Sequence, residues 1–96
     1  MDIRIQAIHF DISEKLTAFI NKKVDKLLRR YPELNTVEAT LRVVKPETAM
    51  NKEVVILVVE PQLGDMAATK TADTFEEAVD LALEAVERQL EKRKNR

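Results

Sequence analysis

Glu53-Val54-Val55-Ile56-Leu57-Val58-Val59-Glu60 is the stretch of this chain that decides its fold. Six consecutive β-branched or leucine residues stand between two glutamates, so the segment is apolar on both of its faces. An extended strand with this pattern is typical of the middle of a sheet, where both faces are shielded. The segment therefore predicts a central strand, and the flanking segments decide how the sheet is completed.

Three further segments are predicted to form strands. Residues 2–7 alternate apolar and polar side chains, and residues 36–44 do the same over a longer run. Both patterns place apolar side chains on one face of a strand. Residues 66–72 form a weaker candidate, while residues 46–51 read as a loop and residues 61–65 as a turn.

Residues 13–30 carry apolar side chains at spacings of three and four, which predicts an amphipathic helix. Asp11 or Ser13 can cap its first turn. Tyr31-Pro32 ends it, because proline disfavours helical geometry in the preceding residue. The apolar stripe comprises Leu16, Phe19, Ile20, Val24, Leu27 and Leu28.

A second helix is predicted from Thr74 towards Lys92. Thr74 and Glu77 match a capping box, in which the threonine caps the first turn and the glutamate reaches back. The predicted buried stripe of this helix comprises Phe75, Val79, Ala82, Val86 and Leu90.

The resulting order is βαβββα, an α+β fold with two layers: a four-stranded mixed sheet with both helices on one face. Strands one and two should be parallel with a right-handed crossover, and the remaining neighbours antiparallel. The open face then carries Arg4, Gln6, Glu38, Thr40 and Arg42. One apolar set of strand three shares that face, and the sequence leaves two sets open. The two sets are Val54, Ile56 and Val58, or Val55, Leu57 and Val59.

Length and composition exclude several kinds of protein. The 96 residues fit a single domain over residues 1–96, and there is no cysteine for disulfides or thiolate metal sites. One glycine rules out a glycine-rich phosphate loop, and the lone His9 beside Phe10 is interpreted as structural or merely exposed. The carboxylates of the second helix fit a solvated face. We therefore expect no enzyme activity, small-molecule substrate, cofactor or metal, and no contact with a membrane; the expected location is the cytoplasm.

The formal net charge is −1, yet the basic residues are concentrated in two regions. With a turn of about 100° per residue, four cations of the first helix fall within a narrow strip and two lie beside it. The strip comprises Lys15, Lys22, Lys26 and Arg29, flanked by Lys23 and Arg30 on one side and by Glu14 and Asp25 on the other. The second region comprises Arg88, Lys92, Arg93, Lys94 and Arg96.

Two interpretations of these regions stay open on physical grounds. Cations near helix C-termini complement the helix dipole, and lysines on outer helix faces keep proteins solvated. Alternatively, the same cations bind phosphates, whose released counterions supply most of the affinity for nucleic acid. The double-stranded-RNA-binding domain has a related αβββα order but basic residues at the start of its last helix. Here that segment, residues 74–77, is acidic, which disfavours ordinary duplex binding.

Several motifs occur in a characteristic order along almost the whole chain. They are Ile12-Ser13-Glu14-Lys15-Leu16, Lys22-Lys23-Val24-Asp25-Lys26-Leu27, the alternating residues 37–45, Ala78-Val79-Asp80, Glu87-Arg88-Gln89-Leu90 and Lys92-Arg93-Lys94. In these motifs and their order the chain resembles the short ribosome hibernation-promoting factors and ribosome-associated inhibitors of the sigma-54 modulation protein family. Long members of that family add a second, dimerising domain, which we do not expect here.

The resemblance implies a function that composition does not. Members of this family bind the small ribosomal subunit near the channel for mRNA and tRNA and inactivate ribosomes in stationary phase or stress. Carried over by position, it implies ribosomal RNA contacts at Lys22, Lys23, Lys26, Arg29, Arg30, Arg88, Lys92, Arg93 and Lys94. The alternative is an interaction module that homodimerises through the apolar face of strand three without binding RNA; a homo-oligomer is not the prediction.

Overall fold

The computed structural model describes residues 2–44, 50–62 and 64–94. These residues form the predicted βαβββα order, with bounds within two residues of those expected from the sequence. The strands are β1 (Asp2–Ala7), β2 (Thr36–Val43), β3 (Lys52–Val59) and β4 (Met66–Ala72), and the helices are α1 (Glu14–Arg30) and α2 (Phe75–Lys94). Of the predicted loop and turn, residues 46–49 and residue 63 lie outside the described residues.

The sheet order is β1-β2-β3-β4, with β1 parallel to β2 and the other two pairs antiparallel. β3 therefore lies between two strands, as its apolar sequence predicted. Both helices pack on one face of the sheet, and the α+β two-layer prediction is confirmed. The five apolar residues expected on the stripe of α2 are all buried, as are all those of α1 except the half-buried Phe19.

The structure decides which apolar set of β3 faces the helices. Val54, Ile56 and Val58 are fully buried, so Val55, Leu57 and Val59 lie on the open face. At the centre of the helix-facing side, Ile56 is paired with Ala39 on β2 and Ala68 on β4. Two alanines beside one isoleucine give the helices room to approach the sheet at this level.

Local sequence signals fix the ends of both helices. Ser13 is the N-cap of α1, and its Oγ accepts a hydrogen bond from the Leu16 backbone N–H at 3.1 Å. Tyr31 is the C-cap, with its N–H donating to the Leu27 carbonyl. Thr74 Oγ1 accepts from the Glu77 backbone N–H at 3.1 Å at the start of α2. The two side-chain contacts satisfy first-turn N–H groups that the helix itself leaves without a partner, whereas the Tyr31 contact is the last hydrogen bond of the helical pattern.

Candidate nucleic-acid interface

α1 and α2 run side by side in the same direction. Lys23 Nζ lies 3.3 Å from Asp80 Oδ1, and Arg30 Nη1 lies 2.9 Å from Glu87 Oε2. Both members of the second pair are seven residues further along their helices, a step of about 10.5 Å. Equal steps in the same sense mean that the helices are parallel over this length, so their C-terminal ends lie at the same end of the molecule.

The parallel packing brings together two basic regions that are about sixty residues apart in sequence. We call the exposed cations on the outer sides of the C-terminal halves of α1 and α2 the cationic surface. It comprises Lys22, Lys26, Arg29, Arg88 and Lys92. Both negative helix-dipole ends lie beside it, so part of this charge stabilises the helices themselves.

The cations of this surface differ in how they are held. Arg29 pairs with Asp25 and Arg88 with Glu84, each one turn back on its own helix. Lys22, Lys26 and Lys92 form no ion pair with any other described residue. These three ammonium groups therefore remain hydrated and can exchange water for an external anion without breaking an internal contact.

The remaining predicted contact residues take other positions. Lys23 and Arg30 turn towards α2 and line a groove between the helices, with Leu27 and Leu83 at its base. Lys26 of the cationic surface lines the same groove but pairs with no described carboxylate there. Arg93 is half-buried, and its Nη1 lies against the turn after β3, 3.7 Å from where a Cβ on Gly64 would stand. Lys94 is the last residue of α2, and its side chain lies outside the described part of the chain.

Tyr31 ties the end of α1 to α2. The residue is 3% exposed, and its hydroxyl donates a hydrogen bond to Glu91 Oε1. Burial, the hydrogen bond to Glu91 and the negative charge of that carboxylate together raise the pKa of Tyr31 to about 12. The phenol is therefore neutral at physiological pH, and it fixes the relative position of the two cationic helix ends.

Tyr31 is the only tyrosine and there is no tryptophan, so ultraviolet titration at about 295 nm reports this side chain alone. We expect a midpoint near 12 in the folded protein and near 10 in urea. Because the folded-state pKa is raised, its stabilising contribution is complete below pH 10 and is lost as pH rises towards 12. Glu91→Gln should lower the folded midpoint, whereas Glu76→Gln, at the far end of α2, should not. A wild-type midpoint near 10 in a protein still folded by circular dichroism would contradict the contact.

Sequence patterns did not reveal the pairing of Lys23 and Arg30 with α2. The signal was present: cations at 23 and 30 and acids at 80 and 87 share a seven-residue spacing. This shared spacing indicates ion pairs only once the two helices are known to be adjacent and parallel, and that knowledge comes from the tertiary structure. The contact between Tyr31 and Glu91 escaped sequence reasoning for the same reason.

The open face of the sheet is mixed rather than apolar. Val55, Leu57 and Val59 are half-buried between polar or small side chains of the neighbouring strands. Beside them Arg42 Nε lies 2.5 Å from Glu53 Oε1. The apolar strip is thus one strand wide, and its use in self-association stays a prediction.

The described residues offer neither a metal-binding cluster nor a membrane-spanning helix. Within the described ranges no three or more histidine, cysteine or acidic side chains are grouped so as to hold a metal ion. Neither described helix is long and apolar enough to cross a membrane. At the end opposite the cationic helix ends, Phe10 stacks on Phe75 with ring centroids 5.1 Å apart, which closes the core there.

Fold and surface together define a small two-layer α+β protein in which basic segments of two parallel helices lie at the same end of the molecule. The family described as Sigma 54 modulation protein / S30EA ribosomal protein matches residues 3–96, and the chain belongs to this family. The resemblance stated from the sequence motifs is thereby confirmed.

Two solved structures are similar to this chain. A ribosomal subunit interface protein from Coxiella burnetii has 25% identity and a TM-score of 0.87, with 100% of both chains covered. The N-terminal domain of Protein Y from Thermus thermophilus has 20% identity and a TM-score of 0.78 over 96% of this chain and 98% of that one; at this identity the likeness concerns the fold alone. A comparison with curated proteins gave no significant match.

Proposed function

We propose that this protein binds ribosomal RNA of the small ribosomal subunit near the mRNA and tRNA channel and thereby inactivates ribosomes. The observation that carries the proposal is the cationic surface, in which two distant basic segments meet at one end of the molecule. Family membership and the similarity to a ribosomal subunit interface protein support a ribosomal partner.

The charge distribution favours phosphate contact at this surface. A net charge of −1 gives no general attraction to nucleic acid, so binding must come from a local field. Lys22, Lys26 and Lys92 supply that field from both helices. Each phosphate contact that displaces condensed counterions makes binding stronger at low salt.

The aromatic residues favour recognition of the RNA backbone over base stacking. All four lie in the described part of the chain, and none is exposed: Tyr31 and Phe75 are buried, and Phe10 and Phe19 are half-buried. A single-strand binding platform needs exposed rings on which bases can stack. A folded RNA recognised through shape and phosphates is the better match.

Co-sedimentation with separated ribosomal subunits tests the proposal. We expect the protein to migrate with the small subunit at about 50 mM salt and to dissociate steeply towards about 300 mM. The reason is that log K falls by about 0.9 per phosphate contact for each tenfold rise in salt concentration. Subunits preloaded with mRNA and P-site tRNA should bind less protein. Absence of co-migration at every salt concentration, with a folded sample, would overturn the proposal and make self-association the next property to measure.

The comparison of empty and preloaded subunits tests separately whether the protein binds near the channel. Equal binding to empty and preloaded subunits would place the protein elsewhere on the small subunit. A translation reaction programmed with one mRNA supplies the second readout. We expect inhibition that rises with the fraction of small subunits occupied.

A further inference from the structure

Acidic side chains of α2 lie directly beside the cationic surface. Asp80, Glu84 and Glu87 follow one another along one side of α2, and we call them the acidic strip. Asp80 and Glu87 bind Lys23 and Arg30 across the interhelical groove. The groove therefore contains both signs of charge, and the unpaired Lys26 also lines it, whereas Lys22 and Arg29 lie outside it on the outer side of α1.

Lys23 and Arg30 are each held by two contacts. Lys23 Nζ also lies 5.4 Å from the centroid of the Phe19 ring, and the Arg30 guanidinium carbon lies 5.8 Å from that of Tyr31. A phosphate that recruits either cation must compete with a carboxylate and a ring face. The same phosphate is repelled by the carboxylate that it displaces.

The stability that these ion pairs give does not by itself account for them. The Lys23 and Asp80 side chains are 38% and 49% exposed. Ion pairs as accessible to water as this contribute little to the stability of a fold. These ion pairs matter more for the attraction of an approaching polyanion, because they convert two cations into neutral pairs.

We propose that Asp80 and Glu87 act as an electrostatic filter that makes RNA binding selective. They restrict phosphate contact to the cationic surface, so that only a folded RNA with phosphates rigidly placed against both helices binds well. Flexible or irregularly placed phosphates, which would otherwise settle in the groove, are repelled. This inference rests on the proposed function and adds specificity residues to it; the two acids position cations and do not contact the RNA.

The test is Asp80→Asn combined with Glu87→Gln, which keeps side-chain size and removes two negative charges. The matched control is Glu76→Gln with Glu77→Gln, exposed acids in the first turn of the same helix. Both variants change the net charge equally, so any difference between them reflects position. Binding is measured against the small subunit and against a mixed-sequence RNA duplex and poly(U) over a salt series.

We expect the Asp80/Glu87 variant to bind duplex and poly(U) about 5- to 10-fold more tightly than the control does, with a log–log salt slope steeper by up to about 1.8. Affinity for the small subunit should stay within about 2-fold of wild type, so that discrimination falls. Equal gains in both variants, or no gain in a folded Asp80/Glu87 variant, would overturn the filter. If wild type binds no small subunit, the proposed function fails separately, and the duplex comparison still decides the filter.

Discussion

Lys26→Glu combined with Lys92→Glu is expected to weaken binding to the small subunit by at least about 100-fold at low salt, because each reversal removes a phosphate contact and adds a repulsion. One lysine comes from each helix, so the pair tests whether the two basic regions form one surface. Each single variant should lose about 10-fold, and the salt slope of the double variant should be shallower.

The control for this prediction is Arg4→Glu combined with Lys70→Glu. Both residues are exposed and lie on strands, Arg4 on β1 and Lys70 on β4, and the net charge changes by the same amount. The control should retain binding within a few-fold. If Lys92→Glu alone has no effect while Lys26→Glu has its full effect, only α1 contacts the RNA. The prediction that both helices form one binding surface is then wrong. If the control loses as much as the test variant, net charge explains the result.

Ile56→Ala is expected to lower the free energy of unfolding by about 4 kcal/mol, in the upper part of the range for large-to-alanine changes in a core. The loss should be large because the residues paired with Ile56 on both neighbouring strands are alanines. The substitution would leave three alanines in a row across β2, β3 and β4 beneath the helices, and none of them can fill the space. A domain of this size has about 5–15 kcal/mol in total, so the loss should be plain in a urea titration.

Leu57→Ala is the matched control for that experiment. It removes a side chain of the same size from the next residue, on the half-buried open face. We expect a loss of less than about 1.5 kcal/mol, since little of the space left behind is enclosed. Equal losses for the two variants, or a larger loss for Leu57→Ala, would contradict the assignment of Ile56 to the face of β3 that packs against the helices.

The amino-acid sequence determined the elements and their order. The apolar run of β3, the alternation in β1 and β2 and the stripes of α1 and α2 each follow from burial acting at a period of two or of 3.6 residues. Ser13 and Thr74 mark helix starts because a side-chain oxygen there satisfies backbone N–H groups. These are local effects, so they can be predicted without knowing the fold. The motifs that identify the family are likewise contiguous in sequence.

Only the tertiary structure decided which residues meet. The sequence allowed either apolar set of β3 to face the helices, because both are equally apolar; packing against two helices chose Ile56 and its neighbours. Helical periodicity placed Lys22, Lys23 and Lys26 in one basic region, but the partner helix separated them, drawing Lys23 to Asp80 and leaving the other two in water. Charge acts through space and not along the chain. The candidate site therefore became definable only when two parallel helices brought their ends together.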